Sequence, residues 1–285
     1  MNIENSYQFT VYLIIAVNVI LSFMAFGNIR LFESLKFRIG DIIGGKQYYR
    51  LITSAFIHGG YFHLFINMYV LYSFSFFLQN FVTIPQYLMI YFGSLIVGNL
   101  LPLFIHKNDY NYSAVGASGA VSGVLYASIF FYPLGTLYLY FIPIKNWIFG
   151  ILYLVYTLYG MKKNDDNIGH DAHFAGAVMG LLIAMLIKPE NIGEYGLIIV
   201  GLMLPVAYYI FTLFQTQDVL SNFTRLDKGE KSNYSNRSID DLYNYSKVKK
   251  EAELNALLEK VNKIGLDNLT KYERDRLEDL SKELK

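Results

Sequence analysis

The chain has 285 residues, 54% hydrophobic, 17% aromatic and 16% charged, with a formal net charge of +1 and no cysteine. That balance offers no basic field for nucleic acid, and the missing thiols exclude a disulfide framework, thiol catalysis and cysteine metal sites. Residues 1–214 hold 10 basic and 9 acidic side chains and residues 215–285 hold 14 of each, so the first three quarters are too apolar for an ordinary soluble domain or a disordered segment.

Three runs carry no Asp, Glu, Lys or Arg: Leu51–His106, Tyr110–Ile144 and Tyr195–Gln217, of 56, 35 and 23 residues. About 20 apolar helical residues cross a hydrocarbon core of about 30 Å. Only helices and closed barrels satisfy their backbone in lipid, and these runs are continuous rather than alternating, which predicts helices. Seven spans are expected, at 8–26, 59–78, 86–105, 117–131, 137–160, 171–188 and 194–214.

The first span lacks a preceding basic residue and a clear small-x-small site, so it is not read as a signal peptide. The loop Gly27–Ile57 carries five basic and two acidic groups over 31 residues, too long for a simple connector and expected to be partly ordered. Later breaks fall at Gln79–Pro85, 106–113, Tyr132–Gly135 and 161–170, where Pro, Gly or polar residues collect. The fourth span is short, from Ala117 to Phe131, so one end should lie below the membrane surface, against protein or a water pocket.

Beyond Phe214 the chain changes character. Residues 215–246 read as a polar linker. In Lys247–Ile264, Leu254, Leu257, Leu258, Val261 and Ile264 recur at helical spacing and Gly265 closes the pattern. Thr270 with Glu273 forms a capping-box pattern for a second helix. A small helical hairpin over 247–285 is expected, with a core too small to stand alone.

Polar residues inside spans are costly and need a reason. Ser118, in Gly116-Ala117-Ser118-Gly119, opens the short span, where a helix N-terminus favours developing negative charge; close helix packing on small residues is the alternative. His173, Gly176 and Gly180 share one helix face at i, i+3 and i+7. If the fourth span packs on that face, Ser118 and His173 meet as nucleophile and base; an interfacial histidine is the alternative. His63 and Asn67, at i and i+4, suit an oxyanion hole or a helix–helix hydrogen bond, while His58 lies off that face and is read as structural. Five histidines invite a metal, but there is no HExxH and no cysteine, so neither metal nor cofactor is expected.

Together these residues resemble the rhomboid intramembrane serine proteases. The likeness runs from Tyr48 to Lys188 through Arg50-Leu-Ile-Thr-Ser-Ala-Phe-Ile-His58-Gly-Gly-Tyr-Phe-His63-Leu-Phe-Ile-Asn67, then Gly116-Ala-Ser118-Gly119, then Ala172-His173-Phe-Ala-Gly176-Ala-Val-Met-Gly180. It implies an all-α membrane protein: a six-helix transmembrane core at 1–192, a seventh helix at 193–214, and the tail as a C-terminal extension like those of some bacterial members. By matching positions Ser118 is the nucleophile, His173 the general base, and His63, Asn67 and the Ser118 N–H the oxyanion donors, with Arg50, Gly116, Gly119, Gly176 and Gly180 as structural motif positions. Two departures stand out. Tyr49 replaces the tryptophan paired with the motif arginine. Ser122 stands where many members carry an aromatic packed on the catalytic histidine, so that support must come from elsewhere.

The resemblance further implies an intramembrane serine endopeptidase in the lipid bilayer, placed in a bacterial cytoplasmic membrane, with transmembrane-helix substrates that partly unwind. It puts the N-terminus in the cytoplasm and the site mouth outside, although the basic first loop runs against the positive-inside tendency. A rhomboid-like pseudoprotease that binds membrane proteins without cutting them is the alternative. A transporter would call for paired repeats and intramembrane charges, and the spans show neither a repeat nor a charge cluster.

Overall fold

The computed structural model describes residues 3–139, 141–163 and 168–215, together with scattered positions between 254 and 281. The chain divides into two compact units, Met1–Gln215 and Thr216–Lys285.

The first unit is an all-α membrane bundle. Helix α1 (Ile3–Phe26) leads into the first loop, which holds α2 (Ile29–Leu35), the two-residue strand β1 (Phe37–Arg38), a π-turn at Gly40–Gly44 and α3 (Arg50–Thr53). Then come α4 (Tyr61–Leu78), α5 (Ile84–Ile105), β2 (Ser113–Ala114) and α6 (Ser118–Phe131). The hairpin β3 (Thr136–Leu139) and β4 (Ile142–Lys145) precedes α7 (Asn146–Lys163), α8 (His170–Ile187), the short α9 (Glu190–Glu194) and α10 (Gly196–Gln215). Both two-stranded ladders are antiparallel: β1 meets β2 with Phe37 opposite Ala114, and β3 meets β4 with Thr136 opposite Lys145.

Among the described residues five helices are long and apolar enough to cross a membrane, at Asn5–Phe26, Tyr61–Leu78, Ile84–Ile105, His170–Ile187 and Gly196–Leu213, and α6 is a shorter apolar helix. The expected fifth span needs correction. Its first residues are not helical; Thr136–Lys145 turn back as a hairpin, and the helix begins only at Asn146. The aromatic and β-branched residues there favour strand, and Pro143 deprives a helix of a donor. Hydropathy alone could not separate them from the helix that follows.

Helix α6 is the axis of the bundle, with every residue from Gly119 to Phe131 buried. Fourteen residues rise about 21 Å, short of the hydrocarbon thickness. Glycine lets its neighbours close in. A Cβ on Gly176 would strike the backbone of Gly119, and one on Gly180 the backbone of Gly123. On the α5 side a Cβ on Gly98 would lie 3.1 Å from the Ala172 carbonyl oxygen and 3.4 Å from the Gly119 Cα. Helices α5, α6 and α8 thus pack backbone to backbone through small residues, the usual solution where lipid supplies no hydrophobic drive. Helix α10 buries Ile199, Leu202 and Val206 and braces α7, with Leu202 against Gly150 and Ile151 against Gly201.

The first loop is ordered around Arg50, which is only 5% exposed. Its guanidinium donates at 2.7 Å to each of the Glu33 and Lys36 carbonyls and to Gln47 Oε1, and pairs with Asp41 at 3.2 Å. Burial alone would push the Glu33 carboxyl up, but hydrogen bonds and charge from Lys36 and Arg38 outweigh it and hold it below its usual value. Tyr49, at the tryptophan position of the resemblance, lies 49% exposed beside the Arg50 guanidinium.

In the second unit Leu254, Leu257, Leu258, Lys260 and Val261 are helical, as are Arg274, Leu277 and Ser281. Gly265 adopts φ 82° and its N–H bonds the Val261 carbonyl at 2.8 Å, a left-handed helix end of the kind expected at that glycine. The 215–246 linker and the Thr270/Glu273 capping box lie outside the described residues.

Candidate active site

Ser118 is the first residue of α6 and half-buried. Ala117 caps the helix, and the Val121 N–H returns to the Ala117 carbonyl. The N–H groups of Ser118, Gly119 and Ala120 precede the first intrahelical donor, Val121, and point out of the helix end.

Two hydrogen bonds hold the turn that delivers Ser118. The Gly116 N–H bonds the Ser54 carbonyl at 2.9 Å, and the Ala117 N–H reaches His58 Nε2 at 3.4 Å. With Nε2 accepting, the His58 proton sits on Nδ1, 3.0 Å from Ser22 Oγ, which in turn donates to the Phe56 carbonyl. His58 is fully buried. Burial, aided by nearby His63, pushes its pKa down to about 3, so the ring is neutral as this relay requires. His58 therefore supports the turn, in keeping with its reading as structural.

Gly116 has φ +122°, and a Cβ there would lie 2.7 Å from His63 Cε1 and 2.9 Å from Nε2. The backbone conformation and the approach of His63 both demand glycine. His63 is half-buried on the first turn of α4. Its Nδ1 accepts the Gly59 N–H at 3.4 Å, which leaves the ring proton on Nε2, beside the backbone preceding Ser118. Asn67 is buried one turn on, and its amide donates to the His63 carbonyl at 2.9 Å. One of its two amide protons is so occupied; the second is left for another acceptor.

His173 sits half-buried in the first turn of α8. The chain neighbours of the two candidate residues touch: a Cβ on Gly119 would lie 3.3 Å from the Ala172 carbonyl oxygen. The first turns of α6 and α8, carrying Ser118 and His173, are thus side by side, and the Gly176 and Gly180 contacts continue that seam.

Three features of the surroundings escaped sequence reasoning. Ser122 Oγ is 2.7 Å from the Tyr153 hydroxyl of α7, and the Tyr153 ring stacks on His173 with centroids 6.4 Å apart and planes at 20°. Asp171 is buried at the start of α8, accepting from the Ala172 N–H at 2.8 Å and the Tyr112 hydroxyl at 3.2 Å, with His106 Nε2 at 2.9 Å. Tyr112 stacks on His106 with centroids 3.8 Å apart, and burial with the Asp171 charge pushes its phenol up. This cluster ties the α5–α6 loop to the turn bearing His173. Ser22 is the third, at the far end of the His58 relay. Polar groups at span ends mark His106 and Asp171 as worth notice, but nothing local pairs them.

Residues 45–190 match the rhomboid domain family, and residues 237–283 match a family of unknown function, DUF6576. The chain is 29% identical over 160 residues to RHOMBOID-like protein 12, mitochondrial, of Arabidopsis thaliana, covering 50% of this chain and 47% of that protein. It is 28% identical over 159 residues to YdcA of Bacillus subtilis (strain 168), provisionally named a rhomboid protease, covering 54% and 74%. It is 30% identical over 135 residues to the Presenilin-associated rhomboid-like protein, mitochondrial, of Homo sapiens, covering 46% and 36%. The chain thus spans less than half the length of these two mitochondrial relatives and about three quarters of the bacterial one.

Proposed function

The chain belongs to the rhomboid family, and from that premise we propose that it is a serine endopeptidase that cleaves transmembrane-helix substrates within the bilayer. The observation that carries this reading is the glycine seam between α6 and α8, which sets the first turns bearing Ser118 and His173 against each other.

In this mechanism His173 takes the Ser118 hydroxyl proton as Oγ attacks a substrate carbonyl carbon. The resulting oxyanion accepts hydrogen bonds from the Ser118 N–H at the α6 terminus, from His63 Nε2–H and from the second Asn67 amide proton. Collapse expels the amine, which receives its proton from His173, and leaves an ester on Ser118. Water, deprotonated by His173, hydrolyses that ester and frees the serine. The short α6 lets water reach a serine below the membrane surface. Substrates are single-pass helices whose small or helix-breaking residues lower the cost of exposing a peptide bond. The protein is a multi-pass integral membrane protein, and we assign it to a bacterial cytoplasmic membrane in line with its bacterial relative. We keep 1–192 as the catalytic core, 193–214 as the added helix, 215–246 as linker and 247–285 as the extension.

The test is cleavage of a transmembrane reporter in proteoliposomes, alongside labelling by a fluorophosphonate probe. The wild type should cleave and be labelled at Ser118, and Ser118→Ala and His173→Ala should do neither while staying folded. A folded wild-type protein that binds the reporter without cutting it, and takes no probe, is a pseudoprotease. Persistent cleavage by Ser118→Ala ends the assignment.

A further inference from the structure

Helix α6 presents Ser118 and, one turn on, Ser122. Ser122 carries no ring to set against His173; the ring beside His173 comes from α7. The Tyr153 hydroxyl meets Ser122 Oγ at 2.7 Å while its ring lies nearly parallel to the His173 imidazole, 6.4 Å away. The ring is itself walled in: Tyr126 lies 5.9 Å off at 50° and Phe149 6.0 Å off at 30°. The backbone one turn before Tyr153 is held at Gly150. The Tyr126 hydroxyl bonds the Gly150 carbonyl, and Leu202 of α10 presses on Gly150.

From this geometry we infer that Tyr153 is a positioning residue for His173, supplied across helices by α7 and locked by the hydroxyl of Ser122. The inference rests on the proposed role of His173. An imidazole on the first turn of a helix can turn about its side-chain bonds. A flat aromatic face held parallel to it restricts that rotation and favours the orientation facing α6. Tyr153 touches no reacting atom; its work is to keep the base aligned. A misplacement of about 1 Å in such a group costs up to roughly 10²-fold in rate, so loss of the ring should lower kcat far more than it alters KM. The Ser122 hydrogen bond only fixes the ring, so its loss should matter much less.

The experiment measures kcat and KM for a transmembrane reporter in proteoliposomes, with thermal unfolding as a check on folding. Tyr153→Leu is expected to lose about 10–100-fold in kcat with KM within about two-fold. Tyr153→Phe and Ser122→Ala, which keep the ring, should stay within roughly five-fold of wild type. The exchange S122Y/Y153S returns a ring to the same space from α6 and should recover kcat to well above that of Tyr153→Leu. A folded Tyr153→Leu with wild-type kcat overturns the inference, as does a Tyr153→Phe as impaired as Tyr153→Leu. If Tyr153→Leu does not fold, the exchange decides: a folded S122Y/Y153S without turnover overturns it. A wild type that fails to cleave defeats the proposed function itself, whereas normal cleavage by Tyr153→Leu defeats only the role of the ring.

Discussion

Widening the seam between α6 and α8 should cost activity well before it costs the fold, and Gly176→Ala is the smallest way to widen it. A methyl on Gly176 would sit 2.7 Å from the Gly119 carbonyl carbon and 3.0 Å from its Cα, where ordinary contact begins at 3.4 Å, and still closer to the carbonyl oxygen. These are backbone atoms and cannot rotate away. The helices must part by about 1 Å, and in a well-packed core that overpacking costs roughly 1–3 kcal/mol. Gly119 follows Ser118 directly and Gly176 is one turn after His173, so the displacement falls on the pair proposed to transfer the proton. A shift of that size predicts a fall of about 10²-fold in kcat. The assay is reporter cleavage in proteoliposomes beside the rate of fluorophosphonate labelling, with Gly193→Ala as control, since a Cβ there meets nothing within 4 Å. Gly193→Ala should stay within about two-fold. A folded Gly176→Ala with undiminished cleavage and labelling would refute the claim that this backbone contact sets the catalytic distance.

Other expectations follow from single contacts. Asn67→Ala removes one proposed oxyanion donor and should lower kcat by about 10²–10³-fold without abolishing turnover; unchanged kinetics would remove Asn67 from the site. Arg50→Lys keeps the charge but not the planar fork that serves two carbonyls, Gln47 and Asp41. It should destabilise by about 1–3 kcal/mol, seen as a lower unfolding temperature, and an unchanged temperature would count against the first-loop anchor. His58 has a folded-state pKa of about 3, below the ordinary histidine value of 6.5. The unfolded chain therefore binds the proton first as pH falls, so this contribution to stability is complete above 6.5 and is lost progressively toward 3. Thermal unfolding between pH 7 and pH 4 should show that loss, with a shallower pH dependence in His58→Gln. Equal slopes would mean that His58 is not buried neutral.

Much of the fold was legible because lipid imposes a local rule. Each spanning helix must satisfy its own backbone and show an apolar surface, so the charge-free runs located α4, α5, α6 and α10, and the apolar stretch 171–188 located α8, to within a few residues. The hairpin at Thr136–Lys145 was missed because its strands are as apolar as a helix, and hydropathy does not register the hydrogen-bond partner. The spacing of His173, Gly176 and Gly180 was readable as one face, and the structure sets α6 on that face. Gly265 was readable as a helix end because left-handed backbone selects glycine locally.

The support around the candidate site was not legible. Ser122 finds Tyr153 at a separation of 31 residues, Ala117 finds His58 at 59, and His106 finds Asp171 at 65. Each pairing depends on which helices adjoin and at what rotation, a property of side-chain packing that no window of sequence contains. By itself the sequence determined an apolar multi-span chain, its short fourth span and the candidate residues for acyl chemistry, because those follow from composition and period along a single stretch of chain. Only the tertiary structure decided that α7 supplies the ring beside His173 and that a neutral, buried His58 holds the turn before Ser118, because contacts between helices are chosen by the fit of whole surfaces.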